Sequence, residues 1–164
     1  MAYRQLSERY ELIQLDPQNV QIPANLDVLW VMHPHAWPAS TLEQIQAYIE
    51  NGGHAVIMLD PYAESISTLS SSITDAHVRY LSSDMAGLFS EWGIGFDPGM
   101  VVLDSKYAWL MQLNENQFPK RNPALVSLPT EAMNQQDVVT ADLDRIVFSS
   151  SGALSVLEDS PLSI

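Results

Sequence analysis

Apolar positions come in short runs separated by stretches of helical periodicity, the alternation expected of a domain in which strands and helices take turns along the chain. Tyr10–Leu15 alternates and is rich in strand-forming residues, which predicts a strand. Asp16–Asn25 holds two prolines without periodicity and predicts a loop. Val28–Met32 is continuously apolar and is bounded by Asp27 and by His33-Pro34, the pattern of a strand covered on both faces in a parallel sheet. Then Ser40 and Glu43 stand at capping-box spacing, with Leu42, Ile45 and Ile49 on one helical face and Gly52-Gly53 as the stop. A second apolar run, Ala55–Leu59, follows and ends at Asp60-Pro61. Strand, helix and strand over about thirty residues predict a right-handed βαβ unit with two parallel strands.

Beyond it, residues 62 to 82 are rich in serine and predict a long connection. Asp84 is placed to cap a helix carrying Met85, Leu88, Phe89 and Trp92, which Gly93 would end. Val101–Leu103 reads as a further buried strand ending in Asp104, with weaker strand patterns at Ala108–Leu113 and Asp144–Phe148. No internal repeat or clear linker interrupts the chain, so one α/β domain over residues 1–164 is expected.

Composition narrows the function classes. Apolar residues make up 46% of the 164 and charged residues 16%, which argues against charge-driven disorder. Seven Lys and Arg against twenty Asp and Glu give a formal charge of -13, distributed as -6 over residues 1–82 and -7 over 83–164. The acidity is spread, not held in a tail, and nucleic acid is not an expected partner, because that contact needs a basic patch to displace counterions. The chain has no cysteine, so disulfides, thiolate metal sites and cysteine nucleophiles are all excluded. Its longest apolar runs are far below the ~18–20 residues that span a bilayer.

Candidate chemistry gathers at the ends of the predicted strands, where open α/β sheets bind ligands. His33-Pro34-His35 has the spacing of a metal-binding pair but serves equally as a polar turn, since no third ligand follows from the spacing. Asp60 and Asp104 also end strands and could join His33 around a cation, or simply close turns. Serine hydrolysis is a second possibility, though no Gly-x-Ser-x-Gly elbow is present and nothing in the spacing selects a triad. Neither Gly-x-Gly-x-x-Gly nor a phosphate-loop lysine motif occurs, and no cofactor is indicated. Of the four tryptophans, Trp30 and Trp92 fall in core-facing patterns, which leaves Trp37, beside Pro38 in a loop, as the surface candidate for a contact.

Taken in order, several short motifs resemble one family. Tyr10-Glu11-Leu12, Ile22-Pro23 before Asp27-Val28-Leu29, Pro34, Gln46-Ala47-Tyr48-Ile49 with Gly52-Gly53, and Asp60-Pro61 are similar to the auxiliary domain of ABC-type transport systems of the GldG type. Leu88-Phe89-Ser90-Glu91-Trp92-Gly93-Ile94 running into Val101-Val102-Leu103-Asp104 resembles that family's next element, and Asn122-Pro123 and Ser149–Leu154 its closing section.

The resemblance implies a Rossmann-like, three-layer α/β domain with a mainly parallel sheet, related to the class I glutamine amidotransferase-like fold and to a domain of intraflagellar transport proteins. It implies a non-catalytic, extracytoplasmic role in export or gliding machinery, among transporter subunits or envelope components. Membrane anchors would lie outside this chain. The family's first strand falls ahead of Met1–Arg9, which implies a piece of a longer protein whose sheet is either rearranged or completed by a second copy.

Overall fold

In the computed structural model, residues 2–63, 82–112, 118–158 and 160 are described. The chain packs into two compact units, residues 1–31 with 36–57 and residues 32–35 with 58–164, so it passes from one to the other at 31/32, 35/36 and 57/58.

The first unit carries the βαβ pattern. Helix α1 spans Ala2–Ser7, followed by strand β1 (Val28–Met32), helix α2 (Ala39–Glu50) and strand β2 (His54–Met58). The strands β1 and β2 pair in parallel, as the apolar runs predict. Leu29 and Val31 of β1 point into a core with Val20 and Ile45. Thr41 is buried too, and its hydroxyl donates to the Pro17 carbonyl at 2.9 Å, which pins the prolyl loop. The capping box does not form. Helix α2 begins one residue before Ser40 behind Pro38, whose carbonyl accepts from the backbone N–H groups of Thr41 and Leu42. At its other end Gly52 takes φ +88°, a left-handed conformation that glycine adopts without penalty.

The second unit is antiparallel. Helix α3 (Ala86–Glu91) leads through Gly93, at φ +68°, into strand β3 (Ile94–Phe96), which pairs with the late strand β7 (Leu154–Val156). A separate sheet is ordered β4-β5-β6, from Ala108–Met111, Lys120–Pro129 and Arg145–Ser149, with a single 3₁₀ turn at Thr130–Ala132. Among the described residues of this unit, Ala63, Met85, Leu88, Phe89, Ala108 and Val126 are the buried apolar side chains.

Strand β5 is bulged where it meets β4. Ala108 stands opposite Val126 but Trp109 opposite Asn122, so Pro123, Ala124 and Leu125 loop out of the ladder. Proline has no N–H to give a ladder at that point. The carbonyls freed there are used: Pro123 O accepts from Asp104 N–H at 3.0 Å and Ala124 O from Ser150 N–H at 2.8 Å.

A mainly parallel Rossmann-like sheet is therefore not what this sequence builds. Among the described residues only β1 and β2 are parallel, and the sheets of the second unit are antiparallel. Val101–Leu103, read as a buried strand, is exposed, and its backbone makes isolated bonds such as Val102 N–H to Ser151 O instead of a ladder. Tyr10–Leu15 is not a strand either; Tyr10 and Ile13 are exposed, so its alternation has no covering layer. Val28–Met32 is covered on one face only: Val28, Trp30 and Met32 are exposed. Most of the predicted serine-rich connection lies outside the described residues.

Candidate functional site

The strand ends do bring several of the candidate residues together, through a residue that no sequence pattern marks. His33 follows β1 at φ +44°, a left-handed conformation uncommon for a side chain of its size, and its N–H donates to Met58 O at 2.9 Å. Asp60 follows β2, and its N–H donates to the hydroxyl of Ser83 at 2.9 Å. Ser83 returns its own N–H to Asp60 O at 2.7 Å. The Ser83 Oγ also lies 3.0 Å from His33 Nδ1. On either side, Asp84 N–H donates to Pro34 O at 2.7 Å, and His35 Nδ1 donates to Ser82 O at 3.0 Å. Three stretches of chain are thus clasped: residues 33–35, residues 58–60 and residues 82–84.

Ser83 Oγ accepts from Asp60 N–H and keeps a second lone pair and its own proton, so its bond to His33 Nδ1 runs in either direction according to the tautomer of the ring. His33 Nε2 is buried without a hydrogen-bond partner among the described residues. The His33 and His35 rings run nearly parallel, 11° apart with centroids 6.4 Å apart.

A serine beside a histidine suggests a nucleophile, but Ser83 is 0% exposed and its hydroxyl is hydrogen-bonded to both Asp60 and His33. The Asp60 carboxylate closes its own turn by accepting from Tyr62 N–H at 2.8 Å, and among the described residues it is bonded to no histidine. Asp104 does the same further on, accepting from the N–H groups of Lys106 at 2.7 Å and Tyr107 at 2.9 Å, and it shares no bond with His33, His35 or Asp60. Among the described residues no three His, Asp or Glu side chains are grouped to hold a metal ion. Asp84, read as a helix cap, does not take that position: the helix begins at Ala86 behind Met85, with no side-chain cap hydrogen bond, and the Asp84 N–H donates to Pro34 O.

The tryptophans are distributed differently from the pattern reading. Trp37, in the first unit, is half-buried, whereas Trp30 is 40% exposed and Trp109 39%. Beside Trp30 on the same sheet face stand Val28 and Val56, both exposed. Parallel strand pairs normally have both faces covered, so the exposure of Val28 and Val56 is unusual for this topology.

The family described as an ABC-type uncharacterized transport system matches residues 1–164, the whole chain. The chain belongs to that family. It is an auxiliary component of an ABC-type transport system, which agrees with the order of motifs between Tyr10 and Leu154. No curated protein and no solved structure matches the chain. As a transport-system component it carries no helix, among the described residues, long and apolar enough to cross a membrane.

Proposed function

We propose that this chain is a non-catalytic, GldG-type binding domain that docks a second subunit of its ABC transport system on the extracytoplasmic side of the membrane. The observation that carries this reading is the pair of exposed apolar side chains Val28 and Val56 on the parallel β1–β2 unit. Covering those side chains would contribute stabilisation at about 25 cal/mol per Å² of apolar area removed from water, which suits a permanent subunit contact better than a transient one.

The hydrolase alternative at His33, Asp60 and Asp104 draws no support from the clasp, where the hydroxyl of Ser83, which meets the His33 ring, is buried. Polar groups at this edge hold the chain together instead of facing a substrate.

The test is co-purification of the full-length protein with its transport-system subunits. Val28→Gln and Val56→Gln are expected to release the partner while leaving the circular dichroism spectrum and Tm unchanged. Retention of the complex by both variants would sink the docking face. An alkaline phosphatase fused after residue 164 of the full-length protein is expected to be active, and an inactive fusion would sink the location.

A further inference from the structure

A cleft of about 510 Å³ opens on the β4-β5-β6 sheet, and its lining is at odds with the charge of the chain. Acids outnumber bases by twenty to seven, yet four of the seven bases, Lys106, Lys120, Arg121 and Arg145, lie between residues 106 and 145. Three of them, Lys106, Arg121 and Arg145, line the cleft, with Glu131 as its one acidic residue. A second cleft, of about 600 Å³ beside Tyr48 and Asn51 in the first unit, has no charged side chain among the described residues that line it.

In so acidic a chain each of these cations would be expected to form an ion pair with a carboxylate, yet among the described residues none of them does, and the ion pair found is that of Arg4 with Glu8 on the first helix. The cleft cations are instead held by neutral groups. Arg121 Nη1 donates to Ala108 O at 2.9 Å. Arg145 Nη1 donates to the Ser127 hydroxyl, and its guanidinium lies 5.9 Å from the centre of the Trp109 ring. Lys106 Nζ donates to the Tyr107 hydroxyl at 2.7 Å and sits 4.4 Å from the centre of that ring.

Neutral partners orient a cation without cancelling its charge. A guanidinium has five N–H donors in a planar fork, and each arginine spends one on the protein, so donors remain to grip a carboxylate or phosphate in two-point fashion. The sheet itself sets the spacing: Arg121 stands opposite Leu110 on β4, Arg145 opposite Pro129 on β5, and the bulge at Pro123 separates the two register segments. Tyr107 and Trp109 supply an aromatic wall between them.

We propose that this cleft binds a small soluble anion, a carboxylate or phosphate compound gripped by Arg121 and Arg145, with Lys106 as a third charge and the aromatic wall for an apolar or planar body. The volume falls in the ~300–1,000 Å³ range of small-molecule sites. Size is decided by electrostatics. At physiological ionic strength charges are screened beyond about 8 Å, so a small anion inside the cleft meets the local cations. An extended anionic surface, such as a membrane or a nucleic acid, would instead lie along a molecule of net charge -13 and be repelled.

The probes are citrate and inorganic phosphate, titrated into the ¹⁵N-labelled protein and followed through the Trp109 indole and arginine Nε signals. Saturable shifts confined to the cleft are expected, with a Tm rise of roughly 3–6 °C at ten times Kd. Arg121→Gln and Arg145→Gln should each weaken binding at least about tenfold, the size of a lost charge-assisted contact. Lys120→Gln removes the same charge from a neighbouring strand position outside the cleft and should change affinity less than about twofold. Absence of saturable binding by either probe would overturn the proposal, as would equal weakening by Lys120→Gln. Sedimentation with phosphatidylglycerol-containing vesicles but not with phosphatidylcholine vesicles would assign the anion to a membrane surface and overturn it too. Arg121 is exposed and makes one bond to a carbonyl, so its variant stays informative even if Arg145→Gln folds poorly.

Discussion

Ser83 Oγ lies 3.0 Å from His33 Nδ1 across fifty residues of sequence, and the same oxygen accepts the backbone N–H of Asp60. A single hydroxyl therefore joins the chain after β1, the chain after β2 and the chain before α3. Ser83→Ala should cost about 1–3 kcal/mol of unfolding free energy, because it takes the hydrogen-bond partner from both the Asp60 N–H and His33 Nδ1. Urea denaturation measures this, and a loss below about 0.5 kcal/mol, the level of an ordinary surface substitution, would mean the clasp contributes nothing.

The left-handed backbone at His33 gives a ranked series. His33→Asn should be the mildest change, since asparagine tolerates φ near +44° and offers a side-chain amide to Ser83. His33→Ala should lose the contact, and His33→Val should add about 1–2 kcal/mol of backbone strain on top. Equal Tm values for the alanine and valine variants would contradict this.

Gly93 ends α3 at φ +68°, and a Cβ there would overlap the backbone and side chain of Ser160. Gly93→Ala should destabilise by about 2 kcal/mol or more, the left-handed penalty plus the displacement of residue 160. Thermal unfolding with no shift in Tm would show that the overlap relaxes freely.

Which parts of this were legible in the sequence follows from how local their causes are. The β1-α2-β2 unit is determined by neighbours in sequence: five-residue apolar runs, a 3.6-residue apolar stripe and glycines at the helix exit. Strand β5 is not. Its ten residues contain Pro123, Pro129, Lys120 and Arg121 and carry no strand pattern of their own, and they form a strand because β4 and β6 supply partners on both sides. The expected parallel sheet failed for the same reason, since Val101–Leu103 has the composition of a strand and no partner to pair with. His33 and Asp60 could be placed at strand ends, but Ser83 lies in a serine-rich context that singles out none of its members. Trp30 was misread because continuous apolarity does not say whether a second layer is present.

Burial gives a paired prediction for the first unit. Ile45 is 2% exposed, and Ile45→Ala should cost about 2–5 kcal/mol. Val28→Thr, on the open sheet face, should stay within about 0.5 kcal/mol in the isolated chain. A large loss at Val28 would show that this face is covered.

Lys106 titrates above its ordinary value of 10.5, chiefly because its ammonium donates to the Tyr107 hydroxyl and then through the tyrosinate charge, with weaker support from the carboxylates of Asp104 and Glu131 against slight desolvation. Because the folded value is raised, this contribution is fully present below the unfolded pKa and is lost only as the pH climbs through the folded one. Lys106 thus stays charged across the neutral range. Tyr107→Phe should bring its titration down toward the ordinary value, read from the side-chain Cε signal by NMR, and an unchanged titration would sink the assignment.

The three passages of the chain between its two units have a consequence for how such a protein can be taken apart or recombined. A module joined by one linker can be cut from its gene with a single boundary and transplanted. Here residues 32–35 belong to the second unit while their flanks belong to the first. No one cut yields either unit whole, so exchanging the second unit between relatives would require grafting the His33-Pro34-His35 tripeptide along with residues 58–164. Chimaeras that respect this interleaving should express as soluble protein, and those cut only at residue 58 should strand Ser83 without its histidine.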